Sequence, residues 1–256
     1  MPDTIPPLPA APDLRAVADI SLFLDFDGTL VDIAERPDAV VVDSSIGRLV
    51  AALADRLDGR VAVVSGRDAG TILPYLGIGE GAAPFAIAGS HGLELRWSDG
   101  RTEAPLRPAR LDDVLTAFAA LAQDHPGVVV EEKPFGAALH YRQAADAGPA
   151  CDALAETIAH SAGFAIQHGK MVVELRLPGG DKGDAVRRFM AEPPMAGTRP
   201  VFVGDDLTDE AGFRAAEALG GWGILVGGPR TTAARYRLAG VDEVHEWLSG
   251  VAGVKA

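Results

Sequence analysis

The chain has 256 residues, 48% hydrophobic and 23% charged, which are the proportions of a globular protein with room for one large domain or two smaller ones. A formal net charge of −13 excludes the electrostatic footprint of a nucleic-acid binder, so an anionic substrate would need a locally basic pocket or a metal. A single cysteine, Cys151, excludes an intramolecular disulfide and suits a reducing compartment.

Residues 1–19, opening MPDTIPPLPAAPDL, are proline-rich and lack a basic start or a long apolar run, and read as a flexible arm rather than a signal peptide. No stretch approaches the roughly 18 apolar residues that a bilayer span needs. A soluble cytoplasmic protein is expected, with a small-molecule substrate, no nucleic-acid or membrane partner, and a monomeric state with a homodimer as the alternative.

From residue 20 onward short apolar runs alternate with helical patterns. SLFLDF (21–26) reads as a buried strand, SSIGRLVAALADRL (44–57) as an amphipathic helix and VAVVS (61–65) as a second strand. SGRDAGTILPYL (65–76) begins another helix, FAIAG (85–89) is a third strand, and GLELRW (92–97) follows it. Near-continuous apolar strands separated by helices predict a parallel sheet covered on both faces. The middle differs: helix (111–123), strand (127–133), strand (137–142), helix (151–162), strand (164–168), strand (171–177). Its short Pro-Phe-Gly and His-Gly-Lys links predict hairpins, hence an antiparallel sheet with two helices on one face. Cys151 falls in line with Leu154 and Ile158 at helical spacing and reads as core. After LPGGDKG the βα rhythm returns with a helix from Lys182, the strand PVFVG, a helix from Thr208 and the strand WGILVG. The predicted class is α/β, a Rossmann-like core of residues 20–108 and 179–256 interrupted by an α+β cap of residues 109–178.

Ligands of parallel α/β sheets gather at the carboxyl ends of the strands. Four polar clusters fall there: Asp25 and Asp27 after LFL, Ser65 after VAVV, Lys182 opening a helix, and Asp205, Asp206 and Asp209 after VFVG. Singly, each has a plain reading as a turn, a cap or a solvated helix start. Together, five carboxylates, a hydroxyl and a lysine at one edge make sense around a hard cation such as Mg2+, which takes oxygen ligands and is shared with substrate phosphate. Asp25 would then be the nucleophile and Asp27 the general acid/base, while Gly28 turns the chain beneath the phosphate so that backbone N–H groups can point at it.

DFDGTL, the Ser65 strand end, DKG and GDDLTDE occur in this order and resemble the four motifs of the haloacid dehalogenase superfamily of phosphotransferases. That resemblance, covering about Ile20 to Val226, implies phosphate binding by Ser65 and Lys182. It also implies magnesium held by Asp205, the Asp25 carboxylate and the Asp27 carbonyl, with Asp206 and Asp209 supporting the metal's waters. VVSGR (63–67), AGSHGLEL (88–95), VEEKPFGAALHYR (130–142) and MVVELRLPGGDKG (171–183) further resemble the trehalose-6-phosphate phosphatases. Ser90, Glu132 and Leu175 stand where that family often has Asn, Asp and Val. The resemblance implies roles in substrate binding for Arg67 and His91.

In the cap, strand alternation puts Glu131 and Lys133 on one face, with His140 and Arg142 on the next strand and Glu174 and Arg176 on the fourth. The face reads either as a solvated, ion-paired surface or as a lid that hydrogen-bonds sugar hydroxyls. The expected activity is magnesium-dependent hydrolysis of trehalose 6-phosphate through an aspartyl-phosphate. The alternatives are a phosphatase for another sugar phosphate of the sucrose or glucosylglycerate type, a phosphotransferase to a second sugar, and a catalytically silent regulatory domain.

Overall fold

The computed structural model describes residues 8–15, 17, 19–33, 43–79 and 83–254. The chain divides into two compact units, Met1–Ala104 with Gly180–Ala256, and Pro105–Gly179. Among the described residues no helix is long and apolar enough to cross a membrane.

The first unit is built on strands β1 (Ile20–Asp25), β2 (Val61–Val64), β3 (Ala86–Gly89), β4 (Glu94–Arg96), β5 (Thr102–Glu103), β10 (Arg199–Gly204), β11 (Trp222–Val226) and β12 (Tyr236–Leu238), the numbers β6 to β9 falling in the second unit. They form one sheet in the order β12-β11-β10-β1-β2-β3-β4-β5, parallel from β12 to β3 and antiparallel at β4 and β5. β1 is central, paired with β10 on one side and β2 on the other. Its successive side chains enter opposite layers: Leu22 and Leu24 join one core cluster and Phe23 the other. Helices α1 (Ser44–Arg56), α2 (Ala69–Tyr75) and α7 (Val241–Ala252) supply Leu53, Ile72 and Leu248 to the first layer. Helices α5 (Lys182–Met190) and α6 (Glu210–Ala218) supply Phe189 and Phe213 to the second. This double cover explains why the strands carry almost no polar residue before their carboxyl ends.

Helix starts follow capping chemistry. The Asp181 carboxylate accepts from the Asp184 amide at 2.7 Å while Asp184 accepts from the Asp181 amide at 3.2 Å, so α5 opens at Lys182. The helix expected from Thr208 instead begins at Glu210, after a 3-10 turn over Leu207–Asp209. The tighter turn lets the Asp206 amide reach Asp209 Oδ2 at 2.9 Å.

The expectation of a flexible arm does not hold for the part of it that is described. Ala10 bridges to Arg237 on β12, Leu14 is buried, and Trp247 donates from Nε1 to the Pro12 carbonyl at 2.8 Å. These contacts are made to residues far along the chain, which is why proline content alone suggested otherwise. Residues 1–7 lie outside the described residues.

The second unit carries α3 (Leu111–Asp124), β6 (Val129–Lys133), β7 (Gly136–His140), α4 (Gly148–Ala162), β8 (Ala165–Gly169) and β9 (Val172–Arg176). Its sheet is antiparallel in the order β6-β7-β9-β8. Ala137, Leu139, Val173 and Leu175 share a core with Leu111, Val114 and Phe118 of α3 and with Cys151 and Ala155 of α4. Both helices therefore cover one face, and the alternate residues of each strand form the other.

Candidate active site

Asp25 closes the central strand, and its Cα partner on β2 is Val64, so Ser65 follows at the neighbouring strand end. Asp25 is 3% exposed, yet it is not isolated. Lys182, at the first position of α5, reaches across to donate to Asp25 Oδ1 at 2.7 Å and to Asp209 Oδ1 at 2.6 Å. Thr29 Oγ1 donates to the other Asp25 oxygen at 3.1 Å. Asp205 begins the turn after β10, and Asp25, Asp205 and Asp209 bring carboxylate oxygens within 4.8 Å of one another.

The electrostatics follow from three buried or half-buried acids around one ammonium. Burial, then the Asp209 carboxylate, pushes Asp25 well above the usual carboxylate range, despite the lowering effect of Lys182. Burial followed by the Asp209 and Asp206 charges raises Asp205 to about 6. Burial alone would lower Lys182, but the Asp209 and Asp25 carboxylates outweigh it and hold the ammonium above its ordinary range. Asp205 Oδ1 is buried and has no hydrogen-bond partner. Such an oxygen, beside two further carboxylates whose charge one lysine cannot balance, fits a hard divalent cation. Gly28 makes room for this arrangement: at φ +81° it lies in the left-handed region, and a Cβ there would collide with the Asp205 carboxylate. Its N–H, however, donates to the Val31 carbonyl at 2.7 Å. Gly28 thus contributes space and a turn, while its own amide is spent on the Val31 carbonyl.

Asp27 faces a different partner. Arg67 donates from Nε to Asp27 Oδ2 at 2.7 Å and from Nη2 to Oδ1 at 2.8 Å. The loop carrying Arg67 is tied down from both sides, since its N–H donates to Ser65 Oγ at 3.1 Å and its carbonyl accepts from the Ser90 amide at 2.8 Å. His91 adopts a left-handed conformation at φ 57°, its amide donates to the Ser65 carbonyl at 2.9 Å, and its ring covers Gly66 so closely that a Cβ there would clash. Asp206 is exposed and caps the 3-10 turn that carries Asp209.

Three contributors escaped the sequence reading. Thr29 lies inside the DFDGTL motif and was available there as a hydroxyl four residues after Asp25. Glu94 accepts from Ser90 Oγ at 2.8 Å and from the Ala69 amide at 3.0 Å, joining the loops after β2 and β3, and burial raises its pKa. Arg230 pairs with Glu210 and donates to the Asp206 carbonyl at 2.8 Å, bracing the turn that bears Asp205. Nothing local in the sequence marks Arg230.

In the second unit the polar face is real and internally paired. Glu131, Ala138, Glu174 and Gln167 align across the four strands, as do Lys133, Gly136, Arg176 and Ala165. Lys133 pairs with Glu174, and His140 Nε2 lies 2.7 Å from Glu131 Oε2. Arg142 is the exception. β7 ends at His140, and Arg142 lies exposed in the following turn, so strand alternation does not place it.

The trehalose-phosphatase family profile matches residues 23–242, which takes in all of these positions. The chain belongs to the trehalose-phosphatase family. It is 43% identical over 211 residues to a probable trehalose-phosphate phosphatase of Sinorhizobium fredii, covering 82% of this chain and 78% of that protein. It is 39% identical over 248 residues to the trehalose-6-phosphate phosphatase of Escherichia coli, covering 94% and 89%. Among solved structures, a trehalose-6-phosphate phosphatase related protein superposes with a TM-score of 0.78 at 28% identity, over 91% of this chain and 97% of that one. The fold is also shared with a haloacid dehalogenase-like hydrolase of Bacteroides thetaiotaomicron, at a TM-score of 0.61 and 14% identity over 90% of this chain and 98% of that one. The protein is a phosphoric monoester hydrolase acting on a sugar phosphate.

Proposed function

We propose that this phosphatase hydrolyses trehalose 6-phosphate to trehalose and phosphate, with Mg2+ as cofactor and an aspartyl-phosphate on Asp25. The observation that carries the chemistry is the Lys182 ammonium held between Asp25 and Asp209 beside the unpartnered Asp205 oxygen. Burial and the Asp209 carboxylate oppose the ionised form of Asp25, so it can attack phosphorus only if positive charge beyond that of Lys182 meets both its own charge and that of the phosphate. Magnesium bound by Asp25, Asp205 and the Asp27 carbonyl, with Asp209 close by, would supply that positive charge.

In the first half-reaction Asp25 Oδ forms a bond to phosphorus and the bond from phosphorus to the sugar oxygen breaks. Asp27 gives its proton to that leaving oxygen. In the second, water attacks phosphorus, the bond to Asp25 breaks, and Asp27 takes the proton from the water. Lys182 and Ser65 bind the phosphoryl oxygens, and His91 lines the sugar side. Glu131, Lys133, His140, Glu174 and Arg176, with Arg142 from the neighbouring turn, supply hydrogen bonds to the sugar hydroxyls. Carboxylates and cations alternating on one sheet face suit a polyhydroxyl group, because each hydroxyl both donates and accepts.

The test is phosphate release from a panel of sugar phosphates with and without magnesium. Trehalose 6-phosphate should have the highest kcat/KM, and only with the metal. Faster turnover of a sucrose or glucosylglycerate phosphate would replace the substrate, and full activity in excess chelator would overturn the metal.

A further inference from the structure

The carboxylate to which proton transfer is assigned is gripped by a closed circuit of side chains. Arg67 takes both oxygens of Asp27 in a fork, at 2.7 and 2.8 Å. A fork of this kind fixes the plane of a carboxylate as well as its place, which the point charge of a lysine does not, and the arm to one oxygen opens when that oxygen carries the proton of the acid step. The Arg67 guanidinium carbon lies 5.7 Å from the centroid of the Tyr75 ring. Tyr75 in turn stacks on Phe26, with centroids 6.0 Å apart and planes 21° from parallel. Phe26 is fully buried and stands between Asp25 and Asp27 in the chain, so the circuit returns to its starting point. Side-chain exposure is 17% for Arg67 and 32% for Asp27, so the pair is sheltered but within reach of a ligand.

We infer that Arg67 is the positioning residue of Asp27, with Tyr75 as its platform, and that it acts through this carboxylate rather than by binding phosphate. The inference rests on the acid/base reading of Asp27 given above. Its consequence concerns the leaving group. A sugar alkoxide must receive a proton as it departs, whereas p-nitrophenolate departs without one. Misorienting Asp27 therefore slows transfer of the phosphoryl group to Asp25 more for the first kind of substrate than for the second, and slows the hydrolysis that follows equally for both. A phosphate-binding arginine would behave otherwise, because its loss weakens the grip on every phosphomonoester alike.

The experiment compares wild type, Arg67→Ala, Arg67→Lys, Asp27→Asn and the two double variants on the preferred sugar phosphate and on p-nitrophenyl phosphate, with thermal melting of each. For Arg67→Ala, kcat on the sugar phosphate should fall about ten- to hundredfold, while KM and inhibition by inorganic phosphate stay within about twofold. The burst in which the leaving group is released should slow less for p-nitrophenyl phosphate than for the sugar phosphate, and Arg67→Lys should not restore the wild-type rate. In the Asp27→Asn background, losing Arg67 should cost nothing more, since the two act as a unit. If Arg67→Ala does not fold, the same cycle run with Arg67→Lys decides the matter. Additive losses, a raised KM or weakened phosphate inhibition would overturn the inference while leaving the phosphatase reading intact. A wild-type protein that releases phosphate from no monoester would instead refute the functional reading, and the inference with it.

Discussion

Lys182 donates to Asp25 at 2.7 Å in a place where neither residue is more than 3% exposed. An ion pair this deeply buried contributes little net stability while intact, but losing one partner leaves the other charged and unpaired, at a cost of about 3–5 kcal/mol. Lys182→Met should therefore lower the melting temperature as well as abolish turnover. Added magnesium should recover part of the lost stability, because a cation beside Asp25 and Asp209 replaces the missing charge. An unchanged melting temperature in Lys182→Met would mean that the carboxylates are protonated and the pair is not ionic.

The metal reading makes its own prediction through Asp205. Asp205→Asn removes one ligand charge and leaves the site acidic on two sides. Magnesium binding followed by calorimetry should weaken by tenfold or more, on the order of a lost charged contact. Unaltered affinity would move the metal away from Asp205.

How far this site could be read in the sequence depended on where each interaction lies along the chain. Apart from Ser21 and the opening Arg199, β1, β2 and β10 are apolar until their carboxyl ends because both faces are covered, so Asp25, Ser65 and Asp205 stood out there. The cap strands announced themselves by alternation, Val173 and Leu175 inward against Glu174 and Arg176 outward. Arg142 was misplaced because nothing local shows that β7 stops two residues earlier. β5 and β12 have two and three residues, too few for a period to register. The packing of Leu14 and the brace of Arg230 on the Asp206 carbonyl join residues far apart in sequence, and no local pattern encodes them.

Glu94 gives a pH-dependent prediction. Burial raises its folded pKa above the unfolded value, so the folded state binds the proton more tightly. By linkage, stability falls as pH rises from the ordinary carboxylate range through the raised value. Glu94→Gln keeps an acceptor for the Ala69 amide and Ser90 hydroxyl but carries no charge. Its melting temperature at pH 8 should equal or exceed that of the wild type, whereas Glu94→Ala should melt lower. A clear loss in Glu94→Gln at pH 8, absent at pH 4, would show that the ionised form is the stabilising one.

The cap carries the substrate claim. Lys133→Ala or Glu174→Ala removes one member of a paired polar face. Each should lower kcat/KM for trehalose 6-phosphate by roughly ten- to thousandfold, as for loss of one to a few strong polar contacts. Hydrolysis of p-nitrophenyl phosphate should scarcely change. Equal losses on both substrates would indicate damage to the fold, and no loss on either would make the face a solvated, ion-paired surface.

The central claim is that Asp25 attacks the phosphoryl group of trehalose 6-phosphate. Its most direct test is the rate of phosphate release from that substrate, with magnesium, by the wild-type protein and by Asp25→Asn. The wild type should turn over, and Asp25→Asn should be slower by about a thousandfold or more, because the amide keeps the shape but cannot form the acyl phosphate. Its melting temperature should stay close to the wild type's, since Lys182 keeps Asp209 as its partner at 2.6 Å while one of three crowded carboxyl groups is removed. Asp25→Asn turning over trehalose 6-phosphate at a near wild-type rate would contradict the account.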